Sequence, residues 1–444
     1  MFSFMKRLFG GGTTTKVSSD PFSRDTLASD EIRTAPPARQ YPPMVLQRDE
    51  ILDANTRIVG YRFAGRLPDG GRPAGAEETI DLLASHNVAD FAQRRMALIP
   101  TAADDWFAHD HRSLVGPNTI FLLAPPAVST QEAWADAANQ IRASGAGVAV
   151  ALGGLTDDQM MAVAGQVNHV LIDFTSYSLV NFEAAINKLK GLVPGVGLIV
   201  DNVSRWAEFR YCIAHGARYC LGPFTREADE AQQDQEISQS RLVLIDMLNQ
   251  LRKEADLQDV AEVAKRDPGV VVKIIGMANS PMAGLNQPVT SVDQAILMLG
   301  RNQLYRWLAI GMFRAGNTSP RDEVLLELAL ARGRFLEVLS QDKHSKLECD
   351  EFFLLGLLSL LDSLLGVPMA KVVDKINLSP ALKDVLLTSG GPLGRYLLLA
   401  IAVEKGHADN VARLAETLAY PLEAVEAASA EAIGWADEAV RMTG

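Results

Sequence analysis

Cysteine is scarce in this chain, which carries only Cys212, Cys220 and Cys349 among its 444 residues. The number is odd, the positions are scattered, and no pair has the short spacing that zinc sites use. A framework of disulfide bonds is therefore excluded as the basis of the fold. The pattern is typical of a protein that folds in a reducing cytosol, so we expect a cytoplasmic location.

Long apolar runs and an excess of basic residues are also missing. No run of about 20 apolar residues occurs, so the sequence predicts no transmembrane segment. Lys and Arg total 42 against 54 Asp and Glu, which leaves a formal net charge of −12. A nucleic-acid surface needs a basic face for phosphate contacts, so this balance argues against nucleic acid as a partner.

What is present divides the chain into segments of different composition. Residues 1–40 are rich in Gly, Thr, Ser and Pro and are predicted to be a disordered leader. Its start, MFSFMKRLFGGG, leaves two alternatives open: a frayed terminus, or a weak amphipathic anchor or partner peptide. Residues 226–238 are polar and mostly acidic, and we predict a linker there. The segments 41–225 and 239–444 are each long enough to fold as a domain.

Strands and helices alternate through residues 41–225. Between the apolar runs lie helical segments such as Gln131–Ser144 and Asp157–Gln166, while a hairpin turn near Asp53 joins the first two runs. This pattern predicts an α/β domain, a TIM-like barrel whose first strand is irregular. The predicted strands are Met44–Leu52, Arg57–Phe63, Arg95–Ile99, Thr119–Leu123, Gly147–Leu152, His169–Phe174, Val196–Val200 and Ala217–Leu221.

Residues 239–444 have helical periodicity throughout, which predicts an all-α domain. One helix is marked at both of its ends. Asp267 can cap its start, and Pro268 suits the first helical position because it has no N–H to leave unpaired. The helix is expected to end near Asn279 and Ser280, whose side chains either satisfy the helix end or contact a partner.

A second helix is expected to start at Ser291, with Gln294 at the capping-box position, and to stop at Gly300. Together, the DP helix start, the NS turn and the AI..LG helix resemble the HDOD domain, a catalytically empty relative of the HD phosphohydrolases. The segment FFLLGLLSLLDSLLGVPMAKVVDKINLSPALKDVLL and the closing GWADEAV extend this resemblance toward the C-terminus. The resemblance implies a site for contacts with other proteins around Asp267, Pro268, Asn279 and Ser280.

The barrel segment resembles the EAL domain, the fold of cyclic di-GMP phosphodiesterases. The resemblance runs from VLQRDEILDANTRIVGYRFAGR to VDNVSRWAEFRYCIAHGARYCLGPF. Where that family reads GYEALLR, this chain reads GYRFAGR. Arg62 therefore occupies the position of the family's metal-binding glutamate, and Arg66 occupies the position of its final arginine. Asp173 keeps the aspartate of one further site position, and Asp201 stands in place of a glutamate at another, although each can also cap a strand-to-helix turn. The expected asparagine, paired aspartates and glutamine correspond to Pro100, Gly153-Gly154 and Leu221.

The helical half has lost its own metal ligands by the same comparison. HD hydrolases read GLLHDIG on one helix, and this chain has Ser359-Leu360 in place of the His-Asp pair. Histidine and carboxylate together hold divalent metals, so no metal and no cofactor are expected in either half.

The two resemblances together describe a degenerate EAL-type barrel followed by an all-helical, HD-related HDOD domain. They imply a non-enzymatic bacterial signalling protein that works by protein–protein interaction. Its partners would be components of cyclic di-GMP or two-component signalling. A receptor that binds cyclic di-GMP without hydrolysing it, a residual phosphodiesterase and a homodimer remain open alternatives.

Overall fold

The structure is a computed structural model that describes residues 44–125, 131–153, 155–227, 229, 231, 237–279, 288–316 and 319–443. The predicted leader and Ser280 lie outside these residues. Within them the chain forms an eight-stranded barrel with surrounding helices, followed by an all-helical half. The predicted fold class is confirmed.

The barrel is closed, and its strands follow one another in chain order. The first strand runs antiparallel to both of its neighbours, and every other neighbouring pair is parallel. The predicted irregular strand is therefore β1. The strands are β1 Val45–Asp53, β2 Ile58–Arg66, β3 Met96–Thr101, β4 Thr119–Leu123, β5 Gly147–Ala151, β6 His169–Asp173, β7 Gly197–Asp201 and β8 Tyr219–Leu221.

Alternation along the strands places one set of side chains inside the barrel and the other outside. Ile51, Leu98, Ile120, Ile199 and Leu221 pack together in a small internal core. The opposite set faces helices α1 Ala76–Ser85, α2 Val88–Phe91, α3 Ala103–Ala108, α4 Gln131–Ala143, α5 Asp157–Val163, α6 Leu179–Leu192 and α7 Trp206–Ala214.

The helical half begins at the residue after Ser238, whose side chain caps its first helix. Its helices are α8 Gln239–Arg252, α9 Leu257–Ala264, α10 Pro268–Asn279, α11 Val292–Gly311, α12 Pro320–Ser340, α13 Lys346–Leu358, α14 Leu361–Leu365, α15 Met369–Lys375, α16 Pro380–Thr388, α17 Gly391–Glu404, α18 Ala408–Thr417 and α19 Leu422–Thr443. Helix α10 has the predicted bounds. The predicted stop at Gly300 is a kink: its φ of +69° interrupts the helix, which then continues to Gly311.

No single helix of the described residues is long and apolar enough to cross a membrane. Two bent helix pairs reach that length and composition only when taken together. The segment formed by α13 and α14 is bent by 114° relative to α15, and α16 is bent by 47° relative to α17.

The helical half covers the outer face of β1. Outward side chains alternate along this strand at Leu46, Arg48, Glu50 and Leu52, all of them buried. Helices α12, α17 and α19 supply the covering side chains, and the apolar core runs without interruption from the barrel into these helices. Because α17 and α19 pack directly on β1, the strand depends on the helical half for its burial.

Candidate functional site

The mouth of the barrel, at the C-terminal ends of its parallel strands, holds the first group of candidate residues. Arg62 on β2 lies directly opposite Asp49 on β1 in the strand pairing, and both point into the barrel. The Arg62 Nε donates to Asp49 Oδ2 at 2.9 Å, and its Nη1 donates to Asp201 Oδ2 at the end of β7. One guanidinium therefore joins two carboxylates across the mouth.

The electrostatics of this contact favour a permanently charged arginine. Burial alone would lower the pKa of Arg62, but Asp201 and Asp49 outweigh it and raise that pKa above its ordinary value. The Arg62 side chain is only 21% exposed, so water screens these ion pairs weakly. Sequence reasoning does not single out Asp49. Its position opposite Arg62 in the β1–β2 hairpin is the signal that identifies it.

Asp173 and Asp201 end neighbouring strands and lie side by side in the β6–β7 pairing. Asp173 caps the short 3-10 helix that follows, accepting from the Thr175 amide at 3.0 Å, and also accepts from Asn202 Nδ2 at 3.1 Å. These hydrogen bonds outweigh partial burial and lower the pKa of Asp173. The two aspartates thus have different tasks: Asp173 holds a turn, and Asp201 pairs with Arg62.

Arg66, at the far end of β2, does not join this ion-pair group. Its Nε donates to Gln47 Oε1 at 2.7 Å, and its other nitrogens have no protein partner among the described residues. A guanidinium can bind two oxygens of one anion, so Arg66 keeps some capacity to contact a phosphate.

The resemblance to EAL domains implies divalent metal ions at this mouth, and the residues present do not fit them. Such metals need several convergent carboxylates with free oxygen lone pairs. Here the cationic side chain of Arg62 lies between Asp49 and Asp201 and occupies one oxygen of each carboxylate. Among the residues that the structure describes, no group of three or more His, Cys, Asp or Glu side chains could hold a metal.

The second group of candidates lies where the helical half resembles the HD helix. Ser359 follows α13, and its hydroxyl accepts from Arg332 Nη1 on α12 at 2.7 Å. The same arginine makes a two-point ion pair with Glu404 at the end of α17, with both N–O distances 2.7 Å. Arg332 is 5% exposed. A buried guanidinium thus lies beside the position at which a metal-binding histidine would stand.

This arginine is the first member of an ion-pair chain that crosses to the barrel. Glu404 also lies 3.5 Å from Arg226 Nε, and Arg226 donates to both oxygens of Glu50 on β1, at 2.5 and 3.0 Å. Burial alone would raise the pKa of Glu404, but Arg332 and Arg226 outweigh it and lower that pKa. We call Glu50, Arg226, Glu404 and Arg332 the junction chain. Three of its members, Glu50, Glu404 and Arg332, border a cavity of about 50 Å³ between the two halves.

The predicted linker therefore begins with a half-buried residue, since the Arg226 side chain is 15% exposed. Sequence reasoning missed the junction chain because its members lie far apart along the sequence. A signal was present in ALARGRFLEVL, where Arg332 and Arg334 interrupt an apolar helix. A second ion-pair group joins Arg95 of the barrel to Glu327 on α12, at 2.6 Å, and to Asp437 on α19, also at 2.6 Å.

The residues at the HDOD motif hold the ends of α10. Asp267 accepts from the Val270 amide at 3.1 Å and from the Ser240 hydroxyl at 2.6 Å, which ties the helix start to α8. Pro268 is the first residue of the helix, as predicted. The Asn279 side chain exchanges two hydrogen bonds with the backbone of Val289, at 2.6 and 2.7 Å. Asn279 thereby joins the helix end to the segment before α11.

Comparison with known proteins identifies one domain within the helical half. Residues 239–372 match the HDOD domain family. The YuxH protein of Bacillus subtilis is 26% identical over 229 residues, covering 50% of this chain and 55% of that protein. The protein named cyclic di-GMP phosphodiesterase CdgJ of Vibrio cholerae is 23% identical over 245 residues, covering 55% and 56%. The matched region thus spans about half the length of each relative.

Two solved structures similar to this chain are named for EAL-domain proteins or cyclic di-GMP complexes. Bacillus subtilis YkuI, with an EAL domain, cyclic di-GMP and calcium, gives a TM-score of 0.33 at 14% identity and covers 40% of this chain and 54% of that one. Klebsiella pneumoniae BlrP1, in a manganese and cyclic di-GMP complex, gives a TM-score of 0.34 at 14% identity. That match covers 42% of this chain and 56% of that one. Residues 239–372 of this chain form an HDOD domain, and they follow an N-terminal eight-stranded barrel.

Proposed function

We propose that this chain is a non-catalytic bacterial signal-transduction protein that acts through protein–protein contacts of its barrel and its HDOD domain. The observation that carries the proposal is the position of Arg62 between Asp49 and Asp201. A cation that is part of the chain neutralises the carboxylates that a metal would need. The buried Arg332 beside Ser359 supports the same interpretation for the helical half.

The direct test is hydrolysis of cyclic di-GMP by the purified full chain with Mg²⁺ or Mn²⁺. We expect no turnover above that of a blank. Turnover that Asp173→Ala abolishes would overturn the proposal, because the barrel mouth would then be an active site. Asp158→Ala is the matched control, since Asp158 is an exposed carboxylate on α5.

The proposed contact surface includes the end of α10, around Asn279 and Ser280, together with the face between the two halves. Partners would be components of cyclic di-GMP or two-component signalling. The test is affinity capture of partners from the host. It compares the intact chain with the double variant Asn279→Ala, Ser280→Ala, in which this surface is altered. Circular dichroism of both proteins separates loss of a partner from loss of the fold. Equal recovery of every partner by the folded variant would rule this surface out.

The second candidate function is binding of cyclic di-GMP without hydrolysis. Arg66 favours it, because only its Nε has a partner among the described residues, and a related protein is named a cyclic di-GMP phosphodiesterase. Calorimetric titration with cyclic di-GMP, repeated with Arg66→Met, tests it. Heat in the unaltered chain that Arg66→Met removes would favour a receptor, and absence of heat at high micromolar nucleotide would exclude one.

A further inference from the structure

The last helix, α19, reaches the barrel through a buried carboxylate that the proposed function does not use. Glu426 Oε2 accepts from the Leu46 amide of β1 at 3.2 Å and lies 3.6 Å from His86 Nε2, just after α1. Its other oxygen has no hydrogen-bond partner among the described residues. The side chains of His86 and Glu426 are 10% and 6% exposed, so the contact is shielded from water.

The surroundings of the His86 ring fix how many protons this contact needs. Its Nδ1 lies 2.8 Å from the Leu82 carbonyl oxygen, which can only accept. A neutral imidazole has one N–H group, and in this contact Nδ1 carries it and donates its hydrogen bond to the Leu82 carbonyl oxygen. Nε2 then turns a lone pair toward the Glu426 carboxylate. One additional proton, on either Nε2 or the carboxyl group, converts this repulsion into an attraction.

The other charged group against this contact is Arg48 on β1. Its Nη1 donates to Ser429 Oγ on α19 at 2.5 Å, one turn from Glu426. Tyr61 on β2 is a further titratable group near Arg48, and Glu50, Glu404 and Arg332 border the same cavity. Arg48 attracts the ionised form of Glu426 and disfavours a charged His86.

We propose that the His86–Glu426 contact is a proton-dependent switch between the barrel and α19. The two side chains hold the helix on β1 while they share a proton, and the contact loosens when that proton leaves. This switch does not depend on the partner contacts proposed above. His86 and Glu426 belong neither to the ion-pair group of Arg62 nor to the junction chain, although Arg48 borders the same cavity as Glu50 of that chain.

The sign of the pH response follows from the direction in which burial acts. Burial raises the pKa of Glu426 from 4.5 to about 7 despite the attraction of Arg48. Burial and the charge of Arg48 lower the pKa of His86, so the carboxyl group is the better proton acceptor of the two. Because the pKa of Glu426 is higher in the closed contact than in the open one, protonation stabilises the closed contact. This stabilisation is complete below pH 4.5 and is lost as the pH rises through 7. Between pH 6 and 8 the ratio of closed to open contact falls about 10-fold.

Hydrogen exchange of the full chain measures this change, because the Leu46 amide is bonded directly to Glu426. Exchange rates corrected for the intrinsic effect of pH should show about 10-fold less protection at pH 8 than at pH 6 in β1 and α19. Glu426→Gln keeps an acceptor for Leu46 and adds a donor toward His86, so its protection should not change with pH. Glu423→Gln is the matched control: this carboxylate is exposed on the same helix, and the loss of protection should persist.

His86→Gln is the second variant, for the case in which Glu426→Gln does not fold. Its amide can donate to the ionised carboxylate, so the loss of protection between pH 6 and 8 should shrink. The proposal fails if the unaltered chain shows no loss, or if the folded variants retain the full 10-fold loss.

Discussion

Removal of the positive charge of Arg226 should lower the free energy of unfolding, because it leaves a buried carboxylate without its cation at the junction between the halves. Arg226→Met leaves a side chain of similar length but removes two hydrogen bonds to Glu50, at 3.0 and 2.5 Å, and the 3.5 Å contact with Glu404. Glu404 keeps its two-point pair with Arg332. Glu50 keeps no cation of the junction chain and remains only 6% exposed.

The magnitude follows from the cost of an unpaired buried charge. Breaking a buried pair by removing one partner costs about 3–5 kcal/mol of unfolding free energy. Burial already raises the pKa of Glu50 even with Arg226 present, so loss of the arginine raises it further. The variant should therefore regain stability as the pH falls and Glu50 takes up a proton. Its deficit should be largest near neutral pH.

Urea unfolding followed by circular dichroism measures the effect at pH 7 and pH 5. The double variant Arg226→Met, Glu50→Leu removes both charges and should recover most of the loss, since apolar groups can replace a buried pair at little cost. Arg72→Met is the matched control, because Arg72 pairs with Asp69 on an exposed surface and its loss should not be measurable. A loss below about 1 kcal/mol for the single variant, or a double variant less stable than the single, would refute this reasoning.

Two further substitutions test the geometry of each half. Gly222→Ala should destabilise the barrel by about 2–4 kcal/mol in the same unfolding assay, because Gly222 has a φ of +145° and a Cβ there would lie 2.0 Å from the Val203 carbonyl oxygen. Gly153→Ala, with nothing within 4 Å, is its control, and equal losses would contradict the steric argument. Asn279→Ala should cost about 1–2 kcal/mol by removing both hydrogen bonds to Val289, and local hydrogen exchange should increase at the end of α10. Unchanged exchange there would show that the contact does not hold the helix end.

The strands of the barrel could be predicted from the sequence because their signal is local. Each is a short apolar run between turn residues, and the interior positions, such as Ile120 and Ile199, are set by alternation alone. Apolar neighbours on their helices also predict core positions for Trp206 and Trp307, and both are 4% exposed. Gly300 was harder, since a positive φ can end a helix or only kink it. The packing of the residues after Gly300 decides between the two.

The charged residues at the junction could not be predicted in the same way. Arg226 belongs to a polar, acidic run, and nothing near it in sequence indicates burial. Its partner Glu50 is 176 residues away, and Glu404 lies near the end of the chain. Polar neighbours predict a surface position for His344, but it is half-buried, with Nε2 3.0 Å from the Tyr396 hydroxyl, a residue 52 positions away. Burial of a polar group depends on a distant partner, which a single sequence does not reveal.

The two halves share one chemical feature at the positions where the family resemblances expect metal ligands: a buried or half-buried arginine that holds carboxylates. Arg62 joins Asp49 to Asp201 in the barrel, and Arg332 pairs with Glu404 in the helical half. Carboxylates that crowd a pocket repel one another unless a cation neutralises them. An arginine supplies that cation as part of the chain, so the charge stays in place without an exchangeable ion. In the helical half this arginine, Arg332, also belongs to the junction chain. The site beside Ser359 is therefore part of the contact that holds the two halves together.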